Sequence, residues 1–352
     1  MYGHIDTALR SMPAWPAVTL YGQIVGGPYF DDLHVGMVFD AAPSVTLTAG
    51  MAAAHQAIIG DRLRLPLDAE LSALVAGATT SLAHPALVCD VAIGQSTVVT
   101  QRVKANLFYR GLTFHRFPAL GDTLFTRTEV VGLKQNSARP GRGPTGLAAL
   151  RMTTIDGVGR LVLDFYRCAM LPLSNGSIET GHNDDLAAIG AEAAPAPDPT
   201  AGWDAEAFRS RVPGPHFDPA LAGTVLQSTA DVVSSAPELA RLSLNIAATH
   251  HDSRAGGRRL VYGGHAIGLA LAQATRLLPN LVTVLGWDSC DHTGPVHEND
   301  TLYSELSVEA AEPLPGGRGG VLHLRSTVYA ASGSGPDDDN QVLDWRFTGL
   351  MF

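Results

Sequence analysis

Solid apolar runs and half-alternating segments follow one another in the same order twice along this chain. In residues 85–95, PALVCDVAIGQ, apolar side chains fall nearly all round a helical wheel, which predicts a buried helix. Pro85 suits its first turn, where the missing N–H costs nothing. From Val98 to Leu173 the pattern changes. TLFTRTEVVGL, GLAALRMTTI and RLVLDFYRCAML are rich in β-branched and aromatic residues and partly alternate, as strands do. Asp156-Gly157 marks a tight turn between two of them. The plan then returns: an apolar helix is predicted from His265, and strands at LVTVLGWDS, DTLYSELSVEA, GVLHLRSTVYAA and QVLDWRFTGLMF. Smaller elements precede each buried helix. The first half has a helix after Thr48 and a polar loop, GDRLRLPLD; the second has a strand-like TVLQSTADVV and a helix near 236–247.

The two halves also match residue by residue. Gly121-Asp122-Thr123-Leu124-Phe125 answers Asn299-Asp300-Thr301-Leu302-Tyr303 at an offset of 178, and Val162-Leu163-Asp164-Phe165 answers Val342-Leu343-Asp344-Trp345 at 180. Leu150-Arg151 and Leu324-Arg325 lie 174 apart, and His115 with Pro118 precedes the first match as His292 with Pro295 precedes its partner. Several matches in one order, at nearly one spacing, indicate a duplicated domain. The predicted class is α+β: an antiparallel sheet wrapped round a central apolar helix, made twice. The expected division is an N-terminal arm over 1–25, a first domain over 26–174, a Pro/Ala-rich linker over 175–219 with a short helix about Trp203–Ser210, and a second domain over 220–352 carrying the candidate site. ARPGRGPTG and SGSGPDDDN read as flexible loops.

Composition narrows the partners. A formal net charge of -10 argues against nucleic acid, which needs a basic face, while a local arginine cluster still suits a small anion. Cys89, Cys168 and Cys290 lie far apart and form no CxxC pair, so neither a disulfide framework nor a zinc site is indicated. No stretch approaches the roughly 20 apolar residues of a membrane helix, and no secretory signal pattern is present. A cytoplasmic protein without metal is expected, and a homodimer stays open.

The candidate chemistry sits in Asn245–Leu278, NIAATHHDSRAGGRRLVYGGHAIGLALAQATRLL, where a polar cluster runs straight into the apolar helix. His250 is the candidate for proton transfer, because imidazole titrates near neutrality. Asn245 could orient a water molecule or cap a helix. Gly263 and Gly264 would let a carbonyl approach free N–H groups at the positive helix end. His265 is a donor or packing residue there, and Arg258 and Arg259 are either a phosphate grip or a solvated loop. Asp291, His292 and His297 form a second cluster with no standard metal spacing. No GxSxG elbow appears.

These residues resemble the MaoC-like, R-specific enoyl-CoA hydratases. That family's motif places an Asp five residues before a His and an acidic residue two after it; His250 and Asp252 match the last two positions, and Asn245 stands at the first. YFDDLHVGMVF, GDTLFTRTEVVGLKQNS, LVYGGHAIGLALA and DHTGPVHENDTLYSE are similar to mesaconyl-CoA hydratases, also called β-methylmalyl-CoA dehydratases. The resemblance implies a double hotdog fold and a hydratase or dehydratase acting on an acyl-CoA or acyl-carrier-protein thioester, with coenzyme A as part of the substrate and no separate cofactor. Asp61 occupies roughly the motif position of the first half, with Pro66 where the His belongs, and is the candidate second carboxylate. The competing expectations are an acyl-CoA thioesterase, which would rely on Asp61, and a non-catalytic acyl-CoA binding protein.

Overall fold

A computed structural model describes residues 26–138, 140–141, 143–191, 197–255, 257–333 and 338–352. The predicted N-terminal arm lies outside these residues, as do parts of the two glycine-rich loops. Among the described residues, twelve strands form one antiparallel sheet, which the short β1 (Val38–Phe39) and β2 (Val45–Thr46) open in chain order. The long strands of the first half are β3 (Ala105–Phe114), β4 (Thr123–Gln135), β5 (Thr145–Asp156) and β6 (Leu161–Pro172); those of the second are β9 (Leu281–His292), β10 (Thr301–Pro313), β11 (Gly320–Ala330) and β12 (Asn340–Met351). Their spatial order is β4-β5-β6-β3-β9-β12-β11-β10, so the halves meet where β3 pairs β9, with Tyr109 opposite Cys290 and Leu112 opposite Trp287.

Each half wraps its sheet round one buried helix. Every residue of α4 (Pro85–Gln95) is buried, as are twelve of the fifteen in α8 (Gly263–Leu277). Burial of so many apolar side chains, at about 25 cal/mol per Å², drives the wrapping. A buried glutamine ties each helix to its sheet in the same way. Gln95 donates to the Leu124 carbonyl and accepts from Thr126; Gln273 donates to the Leu302 carbonyl and accepts from Ser304. The repeated Arg and Asp also pair alike, Arg151 with Asp164 at 2.9 Å and Arg325 with Asp344 at 2.6 Å.

Some local expectations change. GDRLRLPLD is not all loop: Arg64–Leu67 forms a helical turn, α2, closed by the Asp68 N–H on the Arg64 carbonyl. The helix predicted over 236–247 ends at Leu242, because Leu244 takes a left-handed φ of 61° and redirects the chain. The buried helix starts at Gly263, two residues before His265, and TVLQSTADVV splits into strands β7 (Val225–Gln227) and β8 (Asp231–Val232). The matched histidines differ by one register position. His115 and Thr293 donate from equivalent backbone N–H groups to Val162 and Val342, so His292 corresponds to Phe114, not His115. No helix among the described residues is long and apolar enough to cross a membrane.

Candidate active site

Asn245 and Asp61 begin the site loops of the two halves and are held alike. The N–H after each donates to a threonine near the end of the other half's buried helix: Ile246 to Thr97 at 3.0 Å, Arg62 to Thr275 at 3.2 Å. Each side chain then folds back on its own loop, Asn245 Oδ1 accepting from the Ala247 N–H and Asp61 Oδ1 from the Leu63 N–H. Five residues on, Pro66 lies in α2 and His250 in the matching turn α7 (Ala248–His251).

Around the second loop is a cavity of 330 Å³, lined from both halves. Asn245, His250, Tyr262, Gly263 and His292 come from the second half, and Tyr109 and Arg167 from β3 and β6 of the first. No Asp or Glu among the described residues lines it. The Nδ1 of His250 is 2.8 Å from the Leu260 carbonyl. A carbonyl only accepts, so Nδ1 carries the hydrogen and Nε2 keeps its lone pair. Burial first, then the nearby charges of His251 and Arg167, push the ring down to about 4 against the raising effect of the Leu260 bond. His250 is therefore neutral at pH 7. With its oxygen engaged by Ala247, Asn245 has its amide N–H₂ left to donate. His251 sits 2.6 Å from the Asn245 carbonyl and holds this loop.

The helix start contributes backbone. Tyr262, the N-cap of α8, makes no side-chain cap, and the first N–H groups of an uncapped helix remain available donors. Gly263 lines the cavity at this point; a Cβ there would lie 2.5 Å from Nε2 of His292. His292 is a second, half-buried imidazole, pushed down to about 4 by burial and by His250, and its Nε2, buried, has no partner among the described residues.

The structure separates the remaining candidates from this cavity. Asp61 borders a different cavity, and its buried carboxylate is engaged by His84 at 2.8 Å, Leu63 and Thr275. Burial pushes its pKa up, but His84 and these bonds outweigh that and hold it below the ordinary value. Asp61 is thus a structural anchor, not a partner of His250. Asp252 is turned outward and pairs with Arg254, which holds its pKa at about 2. Arg258 pairs with Asp300 and Arg259 with Glu298 on the surface. Gly264 packs against Asp90 and Tyr262 between the helices, and His265 is buried beside Asp90 and His55 with neither ring nitrogen partnered among the described residues. Of the second cluster, only His292 enters the cavity: Asp291 pairs with Arg110 at 2.6 Å and His297 lies 3.8 Å from Asp300. Tyr109 and Arg167 were absent from the sequence candidates. Their signal was the repeat itself, which sets Arg167 of β6 opposite a phenylalanine in β12.

No family model matches the chain. It is similar to a conserved hypothetical protein of Mycobacterium tuberculosis with a double hotdog fold, at 70% identity and a TM-score of 0.90, over 93% of this chain and 99% of that one. It is 26% identical over 350 residues to the β-methylmalyl-CoA dehydratase of Chloroflexus aurantiacus, covering 92% of this chain and 97% of the relative. The mesaconyl-CoA hydratase of Cereibacter sphaeroides is 26% identical over 309 residues, covering 85% and 88%.

Proposed function

Because this chain belongs to the MaoC-like family of double-hotdog hydratases and dehydratases, we propose that its cavity adds water to, or removes it from, the α,β-double bond of an acyl-CoA thioester. The observation that carries the reading is the fixed tautomer of His250, a neutral base whose donor nitrogen is already committed to Leu260. In the hydration direction, water held by the Asn245 amide gives a proton to Nε2 of His250. The hydroxyl oxygen bonds to the β-carbon, and the π electrons move towards the α-carbon and the thioester oxygen. N–H groups at the start of α8 stabilise that oxygen's developing charge. The His250 imidazolium then returns the proton to the α-carbon, so one water is added and the base is regenerated. Dehydration is the reverse. Coenzyme A enters as part of the substrate, and no separate cofactor takes part.

Two observations favour this over thioester hydrolysis. Two of the relatives named above are a dehydratase and a hydratase, and the one carboxylate a hydrolytic reading nominated, Asp61, borders a different cavity and is engaged by His84. The test is direct. Purified protein incubated with mesaconyl-CoA and with a trans-2-enoyl-CoA should lose the conjugated-thioester absorbance and form a product 18 Da heavier, the mass of one added water. Release of free thiol without that product would replace hydration by hydrolysis, and binding without turnover would leave only a binding protein.

A further inference from the structure

Arginine side chains in this chain find partners easily, since 34 Asp and Glu face 24 Lys and Arg. Arg258 and Arg259 take Asp300 and Glu298, Arg209 the Gly317 carbonyl, Arg102 the Gly27 carbonyl and Arg167 the Thr100 hydroxyl. The other described arginines are engaged too, except Arg62, Arg64 and Arg211. Among the described residues these three side chains make neither an ion pair nor a hydrogen bond. All three line one cavity, the 490 Å³ space that Asp61 borders. It shares no lining residue with the cavity of His250.

The three guanidinium groups come from distant parts of the chain. Arg62 follows Asp61 in the first half's site loop and Arg64 opens α2, whereas Arg211 ends α5 (Ala205–Arg211), in the segment read from sequence as linker. The Asp204 N–H donates to the Val75 carbonyl at 2.8 Å and docks α5 beside α3 (Ala69–Ala76). The carboxylates of the lining are engaged elsewhere. Asp61 is held by His84, Leu63 and Thr275, and Asp68 Oδ1 caps α3 by accepting from the Leu71 N–H. Nε of Arg64 is shut off from solvent and has no partner among the described residues. Cations gathered round a concave space repel one another, and their summed field draws an anion into it.

We propose that this cavity is a second binding site, which takes a small molecule carrying a diphosphate. A guanidinium fork matches phosphate oxygens in two-point contacts, and a diphosphate has oxygens and charge enough for three forks. The volume lies within the range of small-ligand sites. Leu67, Leu71, Val212 and Pro279 complete the lining and fit the uncharged part of a nucleotide. A nucleic acid would need a broad basic face, which a chain of net charge -10 with a recessed cluster does not offer. Free pyrophosphate and a nucleoside diphosphate share the required chemistry. The site stands apart from the proposed hydration and does not depend on it.

Calorimetric titration of the full chain with pyrophosphate and with ADP tests this without any turnover. Saturable binding should appear at low salt, with a Kd below about 1 mM, and weaken as ionic strength rises. ADP bound more tightly identifies a nucleotide as the source, and pyrophosphate bound as well or better identifies the free anion; either supports the site. Arg64→Gln and Arg211→Gln should each raise Kd about 10-fold, the loss of one charge-assisted contact. Arg346→Gln, whose guanidinium already pairs with Glu309, should leave it unchanged. Absence of binding by both probes, or binding that survives Arg64→Gln and Arg211→Gln together, overturns the proposal and leaves the hydratase reading intact. Where hydration is measured, the same two variants should keep KM for the thioester within about 2-fold. A rise of KM with both would make these arginines part of the substrate's own grip and would overturn a separate site.

Discussion

The two halves hold the same positions and use them in opposite ways. Around the second loop stand Asn245, His250, Tyr262 and His292, with Tyr109 and Arg167 reaching across from the first half. The first half's counterparts are Asp61, Pro66, His84 and Phe114, with Trp287 and Phe347 across from the second. One set lines a shared cavity and leaves His292 Nε2 and Arg167 Nε without a partner among the described residues. The other closes its polar groups on each other, Asp61 on His84, and fills the sheet face with stacked aromatic rings. Duplication gave two copies of one framework; on the proposed function, the residues at six matched positions decide which copy does chemistry and which gives support. Paired groups and packed rings favour stability, whereas imidazole and guanidinium groups left with an unpartnered nitrogen oppose it and persist where a ligand uses them.

The largest expected effect breaks the comparison at its centre. His250→Ala should lower kcat of hydration about 10³-fold or more while the protein stays folded, because the general base is lost and its counterpart, Pro66, performs no such role. For the unaltered protein, kcat/KM should hold well below the ordinary imidazole pKa of about 6.5 and fall only as the pH drops through about 4, since protonation of Nε2 removes the base. A pH–rate profile with an acid limb near 6.5 would contradict the buried, neutral ring.

Asp61→Ala is the reciprocal change and should act on folding. It leaves His84 without its buried partner and should cost about 3 kcal/mol or more, read as a drop in the denaturant midpoint, with kcat of the folded enzyme within about 2-fold. The pH dependence follows from the lowered pKa of Asp61. Its contribution is complete above the unfolded value of about 3.9 and is lost as the pH falls through the lower folded value. The stability gap between the variant and the parent should therefore close in acid.

How much of this was legible follows from what each signal measures. The buried helices and eight long strands show as periodicity, and the duplication as repeated tetrads, so the fold could be read from local pattern. Asn245 and His250 were legible because a single short loop holds both. Asp61 was found by its sequence spacing to Pro66, but that spacing cannot tell which cavity a loop faces; the loops cross over onto the other half's helix, Arg62 on Thr275 and Ile246 on Thr97. Tyr109 and Arg167 were missed because in a strand read alone they look like any alternate inward residues. Carrying the match of Val162–Phe165 with Val342–Trp345 two residues further sets Arg167 against Phe347, and a charge replacing a core ring is a signal of function.

His292→Phe sharpens the comparison by giving the working half the residue of the silent one. The ring of His292 abuts Gly263 at the helix start, and Phe114 holds the same register in β3. The change should lower kcat/KM by about 10- to 100-fold through loss of a polar group beside the reacting thioester, while stability holds or rises because an imidazole with a buried, unpartnered nitrogen gives way to an apolar ring. A fall in stability with unaltered turnover would make His292 a packing residue, as Phe114 is.

The smallest effect concerns the loop between α7 and α8, where sequence alone offered Arg258 and Arg259 as a grip for phosphates. Both are spent on neighbours: Arg258 lies 3.3 Å from Asp300 and Arg259 3.1 Å from Glu298, both on the surface and outside the cavity lining. Lys104 does line the cavity, is exposed, and among the described residues its Nζ reaches the Ala255 carbonyl alone, at 3.5 Å. An exposed ion pair contributes about 1 kcal/mol or less and weakens in salt, so Arg258→Ala and Arg259→Ala should each shift stability by no more than that. Each should leave KM for a coenzyme A thioester within about 2-fold, because swapping a partnered surface cation removes little attraction from a phosphate nearby. Lys104→Ala should raise KM more than either, and the difference should shrink as ionic strength rises. If the arginine variants instead raise KM several-fold while Lys104→Ala is silent, the loop moves onto the ligand when coenzyme A binds, and the working half owes its substrate grip to a segment that its silent counterpart, with the helical turn at Arg64–Leu67 and the helix after it, does not possess.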